Sequence, residues 1–282
     1  MKINWYPGHM KKTKESIQKS LVMVDIVFEL LDARVPLSSK NPMIDSIVGD
    51  KPKIIILNKS DLANEGANQL WQEYFAKQDI ETICIDSLSG KGLDKLLNLS
   101  FEGTNIKRQA YKNRGVLERQ TRAMILGIPN VGKSTLINSL SGRRGAKVGN
   151  RPGITTSNQW IKTKGRIELL DTPGILWPKI EDQNVGLNLA FTGAIKDRIL
   201  DVEVLALRLV EKLLKIAPEL LEKRYNIEIE SDIPLEVMET IGRKRGCIIK
   251  GGEIDYSKVS NILLDEFRKG IIGNITLELP DE

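Results

Sequence analysis

The sequence has few of the residues that mark secreted, zinc-binding or membrane proteins. Its 282 residues include two cysteines, Cys84 and Cys247, and one histidine, His9. Neither cysteine has a second cysteine or a histidine at metal-ligand spacing, which argues against a disulfide framework and a zinc site. No apolar run approaches the roughly 20 residues that a membrane span needs. The first residues lack the apolar stretch of a signal peptide. These shortages predict a cytoplasmic protein without a membrane span.

Charge is plentiful but unevenly distributed. The chain carries 42 Lys and Arg against 37 Asp and Glu, a net charge of +5. Residues 101–170 hold 14 basic against 3 acidic residues, a net of +11, and the remainder is net −6. Such a segment indicates an acidic partner, most often nucleic acid, although a solvated basic face would give the same pattern.

Short β-branched runs alternate with helix-like segments along the first part of the chain. This alternation predicts an α/β fold, in which helices cover a mainly parallel sheet. The predicted strands are residues 24–31, 53–57, 81–85, 123–126, 158–163 and 167–170. We expect the last two strands to pair across the turn at Lys164 and Gly165.

Beyond Pro178 the strand pattern fades and helical periodicity takes over. One predicted helix carries an apolar residue at every third or fourth position. These positions are Val202, Leu205, Leu209, Leu213 and Ile216. We therefore predict an α/β domain over residues 1–178, followed by a smaller, mostly helical domain over residues 179–282.

A glycine-rich loop follows the strand predicted at 123–126. It reads GIPNVGKS and precedes a helix-like segment, and strand, GxxxxGKS, helix is the context of a P-loop. Glycines let backbone N–H groups approach phosphate oxygens at the positive end of the helix. We expect Lys133 to reach the β- and γ-phosphates and the Ser134 hydroxyl to ligate Mg²⁺. The predicted phosphate-binding residues are Gly127, Pro129, Asn130, Val131, Gly132, Lys133, Ser134 and Thr135.

A second phosphate element ends the last predicted strand. In the sequence DTPG, Asp171 stands where a Walker-B aspartate would enter the Mg²⁺ shell. Gly174 would offer a backbone N–H to a γ-phosphate oxygen. Alone such a motif is weak, but downstream of a P-loop it gains specificity.

The sequence NKSD, residues 58–61, follows another predicted strand and favours guanine. The Asp61 carboxylate would accept from N1–H and the 2-amino group, neither of which adenine offers. Asn58 would brace the loop, and the Lys59 stem would cover the base. Ser87 follows the strand at 81–85 and would touch the ring edge through its backbone, although an ordinary turn serine fits equally well.

The two groups of motifs occur in the opposite order to that in an ordinary G domain. Guanine elements come first, and the phosphate elements follow. The same sheet can form if the usual chain ends are joined and the chain is cut elsewhere. Between the P-loop and DTPG, Thr155 is the predicted switch-loop ligand of Mg²⁺, with Thr156 as the alternative. The sequence thus predicts a circularly permuted P-loop G domain that binds GTP and GDP.

On these motifs the chain resembles the circularly permuted GTPases of ribosome biogenesis. The resemblance covers essentially the whole chain. It rests on WYPGHM at 5–10, DARVP at 32–36, NKSD at 58–61, GIPNVGKS at 127–134, RPGIT at 151–155 and DTPGILWP at 171–178. It implies a cytoplasmic factor for late assembly of the large ribosomal subunit. Such a factor would bind the precursor's rRNA and hydrolyse GTP poorly until the particle stimulates it.

The residues that would drive hydrolysis are less defined. Many GTPases place a water-orienting glutamine after DxxG, but Ile175 stands there. His9 is the candidate catalytic group, because an imidazole can accept a proton near neutral pH; a packing or RNA-contacting role is the alternative. Asn130 resembles the asparagine with which related GTPases hold K⁺, although turn geometry alone would also explain it.

Three functions fit the sequence. The first is a GTP-hydrolysing assembly factor for the ribosomal particle. The second is a GTP-dependent RNA-binding scaffold with little productive hydrolysis, as Ile175 suggests. The third is a translation or tRNA-modifying factor.

Overall fold

The computed structural model describes residues 10–105, 109, 120–142, 159–163, 167–177 and 180–280, with the side chains of 10–14 and 159 left out. A six-stranded sheet forms its centre, in the order β3-β2-β1-β4-β6-β5. The strands are β1 (Ile26–Asp32), β2 (Lys53–Asn58), β3 (Glu81–Ile85), β4 (Thr121–Gly127), β5 (Gln159–Lys162) and β6 (Ile167–Asp171). All neighbours pair in parallel except β5 and β6, which are antiparallel. The predicted α/β class is confirmed.

Strand boundaries differ from the predictions by a few residues. The first strand begins at Ile26 rather than at Val24 and extends to Asp32. It lies between β2 and β4, and all seven residues are buried. Glu29, inside the predicted strand, and Asp32, one residue beyond it, are therefore polar residues of a buried central strand. Lys53 on the neighbouring strand neutralises Glu29 through an ion pair of 2.8 Å.

Eleven α-helices are described. They are α1 (Met10–Leu21), α2 (Pro36–Ser39), α3 (Pro42–Val48), α4 (Glu65–Ala76), α5 (Leu93–Gly103), α6 (Lys133–Ser141), α7 (Gln183–Phe191), α8 (Val202–Ile216), α9 (Pro218–Tyr225), α10 (Pro234–Lys244) and α11 (Tyr256–Arg268), with a 3₁₀ turn at Asp197–Ile199. Side chains cap several of them: Asp201 accepts from two backbone N–H groups at the start of α8. None of the helices in this described part is long and apolar enough to cross a membrane.

The predicted apolar face of α8 is present. Leu205, Leu209 and Leu213 are fully buried. Ile216, the last residue of the stripe, is 44% exposed because the helix ends there. One continuous cluster of buried side chains joins this helix to the sheet through β4, β6 and α7. The helical region after residue 178 thus shares its core with the sheet, and the domain boundary at 178 stays a prediction.

The residues after α11 return to the sheet. Ile275 donates its backbone N–H to the carbonyl of Leu62 (3.0 Å), and Leu277 donates to Arg34 (2.8 Å). The Glu278 carboxylate accepts from the backbone N–H of Ser38 at 2.7 Å. We call residues 271–280 the C-terminal strap. It lies against the ends of β1 and β2.

Candidate functional site

The loops that carry the predicted motifs meet at one edge of the sheet. The strands β1, β2, β4 and β6 are parallel, so their carboxyl ends lie side by side. The strands β1 and β4 are neighbours at the centre of the sheet. The chain adds β2 and β3 on one side of β1, and it adds β6 and β5 on the opposite side of β4, so the strand order reverses between β1 and β4. Ligands of open α/β sheets bind at such switch points. The permuted order of the motifs therefore still assembles one site.

Glycine backbone shapes the phosphate side of this site. Gly127 and Gly132 have φ values of 156° and 105°, in the region that favours glycine. A Cβ at Gly127 would meet the carbonyl oxygen of Leu30 at 2.7 Å. A Cβ at Gly132 would meet the side-chain nitrogen of Asn58 at 2.2 Å. Both positions exclude side chains for reasons of space as well as of φ.

Lys133 begins α6 with its side chain inside the loop. Its ammonium donates to the carbonyls of Gly127 (3.0 Å) and Ile128 (2.8 Å). Burial lowers the pKa of Lys133 to about 8, while the negative charge of Asp171 acts in the opposite direction. A phosphate group at this loop would raise that pKa again and favour the charged ammonium.

Asn58 connects three loops. Its side-chain N–H donates to the carbonyl of Val131 in the P-loop at 2.7 Å. Its Oδ1 accepts from the backbone N–H and the hydroxyl of Ser87, at 3.2 and 2.6 Å. The carbonyl of Ser87 in turn accepts from the Ser139 hydroxyl of α6 at 2.5 Å. Asn58 and Ser87 are thus brought together with the P-loop.

Residues 58–61 are predicted to bind guanine, and we call them the guanine loop. The side chain of Lys59 reaches from this loop to the P-loop. Its Nζ donates to Asp32 Oδ2 and to the carbonyl of Asn130, each at 2.9 Å. Its φ of 60° is costly for a lysine, and these two contacts hold it there. Asp61, two residues on, is exposed at the same edge. An exposed carboxylate beside an anchored lysine suits an incoming base.

The DTPG segment lies against the P-loop. Gly174 is so close that a Cβ would stand 2.9 Å from backbone atoms of Pro129 and 3.1 Å from the ammonium of Lys133. Asp171, at the end of β6, is buried. Ile175 donates its backbone N–H to Gly127 at 3.1 Å, and its carbonyl accepts from Asn41 at 3.2 Å. The Ile175 side chain is buried in the core with α1 and α3.

Asn130 sits in the P-loop with a φ of 58°. Its side-chain N–H donates to the carbonyl of Gly193, after α7, at 2.7 Å. The P-loop is thereby joined to the helical region.

Two predicted site residues, His9 and Thr155, lie outside the described residues, as does Thr156. Most of the basic segment does too: of its 14 Lys and Arg, the structure describes Arg122, Lys133 and Lys162. Arg122 pairs with Glu168 at 3.1 Å and stacks on Trp160 at 4.9 Å. Lys133 faces the P-loop, whereas Lys162 is exposed.

Sequence reasoning missed what Asp32 and Arg34 do. The guanidinium of Arg34 forms two hydrogen bonds to the carboxylate of Asp32, at 2.9 and 2.8 Å, and the backbone N–H of Arg34 donates a third at 3.2 Å. Burial alone would raise the pKa of Asp32, but the charges of Arg34 and Lys59 hold it well below its ordinary value. The signal in the sequence that could have indicated their role is the charged pair of Asp32 and Arg34, directly after an apolar predicted strand.

Comparisons with known proteins agree with this site. The family described as "50S ribosome-binding GTPase" matches residues 122–238, which begin at the P-loop strand and omit the guanine loop upstream. The chain is 47% identical to "Ribosome biogenesis GTPase A" of Bacillus licheniformis, over 100% of both chains. It is 34% identical to the protein of that name from Thermotoga maritima, over 99% of this chain and 95% of that one.

Solved structures resemble it as well. The structure titled as GNP-bound YlqF from T. maritima has a TM-score of 0.65 and 27% identity, and covers 96% of this chain and 99% of that one. A GDP-bound structure of TM YlqF has a TM-score of 0.66 and 28% identity, with coverages of 94% and 99%.

Proposed function

Given that this chain belongs to the ribosome biogenesis GTPase A family, we propose that it hydrolyses GTP while acting on a late precursor of the large ribosomal subunit. The particle would stimulate turnover, and the protein would act in the cytoplasm. The observation that carries the proposal is the direct hydrogen bonding between the guanine loop and the P-loop, through Asn58 and Lys59. The ribosomal partner is supported by the 47% sequence identity, over the full length, to a protein named for ribosome biogenesis.

Base and phosphate recognition divide between the two sides of the site. Asp61 would accept from guanine, the Lys59 stem would cover the ring, and the loop of Ser87 would line its edge. The P-loop amides, with Lys133 and the N–H of Gly174, would hold the phosphates. ATP would leave Asp61 without its donors, at a cost of roughly 1–3 kcal/mol for each lost hydrogen bond.

The residues present fit Mg²⁺. The Ser134 hydroxyl and the Asp171 carboxylate are hard oxygen donors of the kind that Mg²⁺ prefers, and Asp171 acts electrostatically on Lys133 across the loop. Thr155 would supply a third oxygen. Bound there, Mg²⁺ would neutralise charge on the phosphate oxygens.

Hydrolysis needs a group that the DTPG segment does not supply. Ile175 is buried and can neither orient water nor take its proton. His9 would accept that proton while water attacks the γ-phosphorus and the bond to the β-phosphate oxygen breaks. A large subunit that holds His9 near the γ-phosphate would raise the rate by proximity.

Turnover with and without large ribosomal subunits tests the proposal. We expect slow hydrolysis by the protein alone and faster hydrolysis with purified large subunits. Small subunits serve as the control. His9→Ala should keep GTP and subunit binding and lower the stimulated rate by about 10²–10⁴-fold for a general base. If large subunits bind the parent but leave its rate unchanged, stimulation is ruled out.

That outcome would favour the scaffold reading, which Ile175 supports. A scaffold would sediment with large subunits under GTP and under a non-hydrolysable analogue alike, and would leave them only when GTP is removed. A hydrolysing factor would be released under GTP and retained under the analogue.

Asn130 would hold K⁺ beside the phosphates, as the second cofactor. Replacing Na⁺ with K⁺ at equal ionic strength should raise turnover, and Asn130→Ala should abolish the difference. Equal rates of the parent in both salts would remove K⁺ from the mechanism.

The rRNA contact would come from the basic segment outside the described residues. Binding should weaken steeply with salt as counterions are released, and neutralising Arg143, Arg144 and Lys147 together should flatten that dependence. An unchanged dependence would place the contact elsewhere on the protein.

A further inference from the structure

We propose that Arg34 is a positioning residue for guanine recognition, which makes the guanine loop and the C-terminal strap depend on each other. The inference rests on the proposed role of residues 58–61 as the guanine loop. It concerns Asp32 and Arg34, which none of the nucleotide motifs includes.

The first step is a chain of charges that ends at the guanine loop. The carboxylate of Asp32 accepts two hydrogen bonds from the guanidinium of Arg34, one from the backbone N–H of Arg34 and one from Lys59. Arg34 and Asp32 are 1% and 2% exposed, so neither can exchange its partner for water. A buried carboxylate held from two sides has one orientation, and that orientation fixes the ammonium of Lys59.

The second step is what else Arg34 contacts. Its Nη1 donates to the carbonyl of Arg268 at 3.1 Å, at the end of α11. Its guanidinium lies 5.4 Å from the ring centre of Phe267. A cation at the carboxyl end of a helix is stabilised by the helix dipole. One side chain therefore joins the guanine loop to the last helix.

The strap adds further connections at the same place. Leu277 donates to the carbonyl of Arg34, and Ile275 donates to that of Leu62, the residue after Asp61. The backbone N–H of Asn64 donates to the Thr276 hydroxyl at 3.1 Å. The strap is thus hydrogen-bonded to both segments that position Lys59 and Asp61.

Coupling follows from this arrangement. A guanine nucleotide that orders Lys59 and Asp61 also favours the docked strap, and a docked strap favours the nucleotide by the same factor. An event that displaces the strap, such as docking of the helical region on a particle, would then weaken nucleotide binding.

Hydrogen exchange of the strap amides, measured with and without GDP, tests the coupling in the parent protein. We expect GDP to slow exchange at Ile275 and Leu277 by at least about fivefold, the lower end of ordinary coupling. If GDP binds and exchange at both amides is unchanged, the inference fails while the proposed GTPase function stands. If GDP does not bind, the proposed guanine site fails instead.

Variants then assign the coupling to Arg34. Arg34→Gln should weaken GDP binding by about tenfold and remove the effect of GDP on strap exchange. Arg34→Lys keeps the charge but cannot serve both Asp32 and the helix end, so it should show the same loss if Arg34→Gln does not fold. Lys53→Gln is the matched control, because it breaks the buried pair with Glu29 on the same two strands, away from the site. It should lower stability but leave GDP affinity and strap protection unchanged. Equal effects of the Arg34 and Lys53 variants on GDP affinity would overturn the assignment.

Discussion

The two sides of the nucleotide site are held in place by different means. On the phosphate side, Gly127 and Gly174 allow backbone segments to approach within distances that a Cβ would block, and Gly132 allows the same for the side chain of Asn58. On the side predicted to bind guanine, Asn58 is fixed by hydrogen bonds and Lys59 by its ion pair with the buried Asp32. Phosphate oxygens need many N–H groups, which the backbone supplies when Cβ atoms are absent. A base edge needs a few polar side chains in fixed directions.

The largest effect is expected where the two sides touch. Gly132→Ala would place a Cβ 2.2 Å from the side-chain nitrogen of Asn58, at a φ of 105°. We expect a loss of at least about 2 kcal/mol of stability and about a hundredfold loss of GDP affinity. Chemical denaturation and GDP titration measure both.

Gly251→Ala separates strain from contact. Gly251 has a φ of 104°, but a Cβ there meets nothing within 4 Å. Backbone strain should lower the stability of this control variant by a similar amount, but its GDP affinity should not change. If Gly132→Ala behaved like Gly251→Ala, the close approach of the two loops would be without consequence.

Asn58→Ala should have the next largest effect. It leaves the Val131 carbonyl and the Ser87 N–H without their side-chain partner, at a cost of about 1–3 kcal/mol. GDP affinity should fall by about tenfold, because the P-loop and the guanine loop lose the connection through Asn58 and keep only the one through Lys59. Asn261→Ala, at an exposed position whose side chain bonds locally to Ser257, is the control for asparagine truncation and should be near neutral. Unchanged GDP affinity in Asn58→Ala would show that the two sides act independently.

Asp61→Asn sharpens the comparison at the base itself. Asp61 is exposed, so we expect no measurable change in stability. The preference for GTP over ATP should fall by about 1–3 kcal/mol, as the acceptor for guanine is lost. Competition binding with both nucleotides measures the preference. A variant that still rejects ATP as strongly as the parent would contradict the role of Asp61.

The smallest effect concerns protons on the phosphate side. With a pKa of about 8, Lys133 is partly neutral at pH 8.5, and the negative phosphates of GDP favour its charged form. Binding at pH 8.5 should therefore take up a fraction of a proton, and GDP affinity should fall as the pH rises above about 8. Calorimetry in two buffers with different ionisation heats measures the uptake. Lys133→Arg stays charged and should abolish the uptake; if uptake persists, it belongs to Lys59, whose pKa burial also lowers.

The sequence by itself determined the elements and the local motifs. A P-loop, a DxxG and an NKxD are each read within eight residues, and each follows a strand of apolar, β-branched residues. All six strands stand within a few residues of their predicted positions. In the four inner strands, β1, β2, β4 and β6, burial on both faces demands such apolar runs. The permuted order of the motifs was also legible, since order is a property of the chain.

Only the tertiary structure decided which distant residues hold the site in place. Asp32 and Arg34 lie more than 230 residues before the helix end that Arg34 contacts, and Asn130 meets Gly193 from another part of the chain. Contacts of this kind leave no periodic pattern, because each depends on one side chain reaching one carbonyl after folding. The return of the strap to Arg34 and Leu62 belongs to the same class. Periodicity in the sequence indicates which face of a helix or strand is buried, whereas only the three-dimensional packing shows which residues that face contacts.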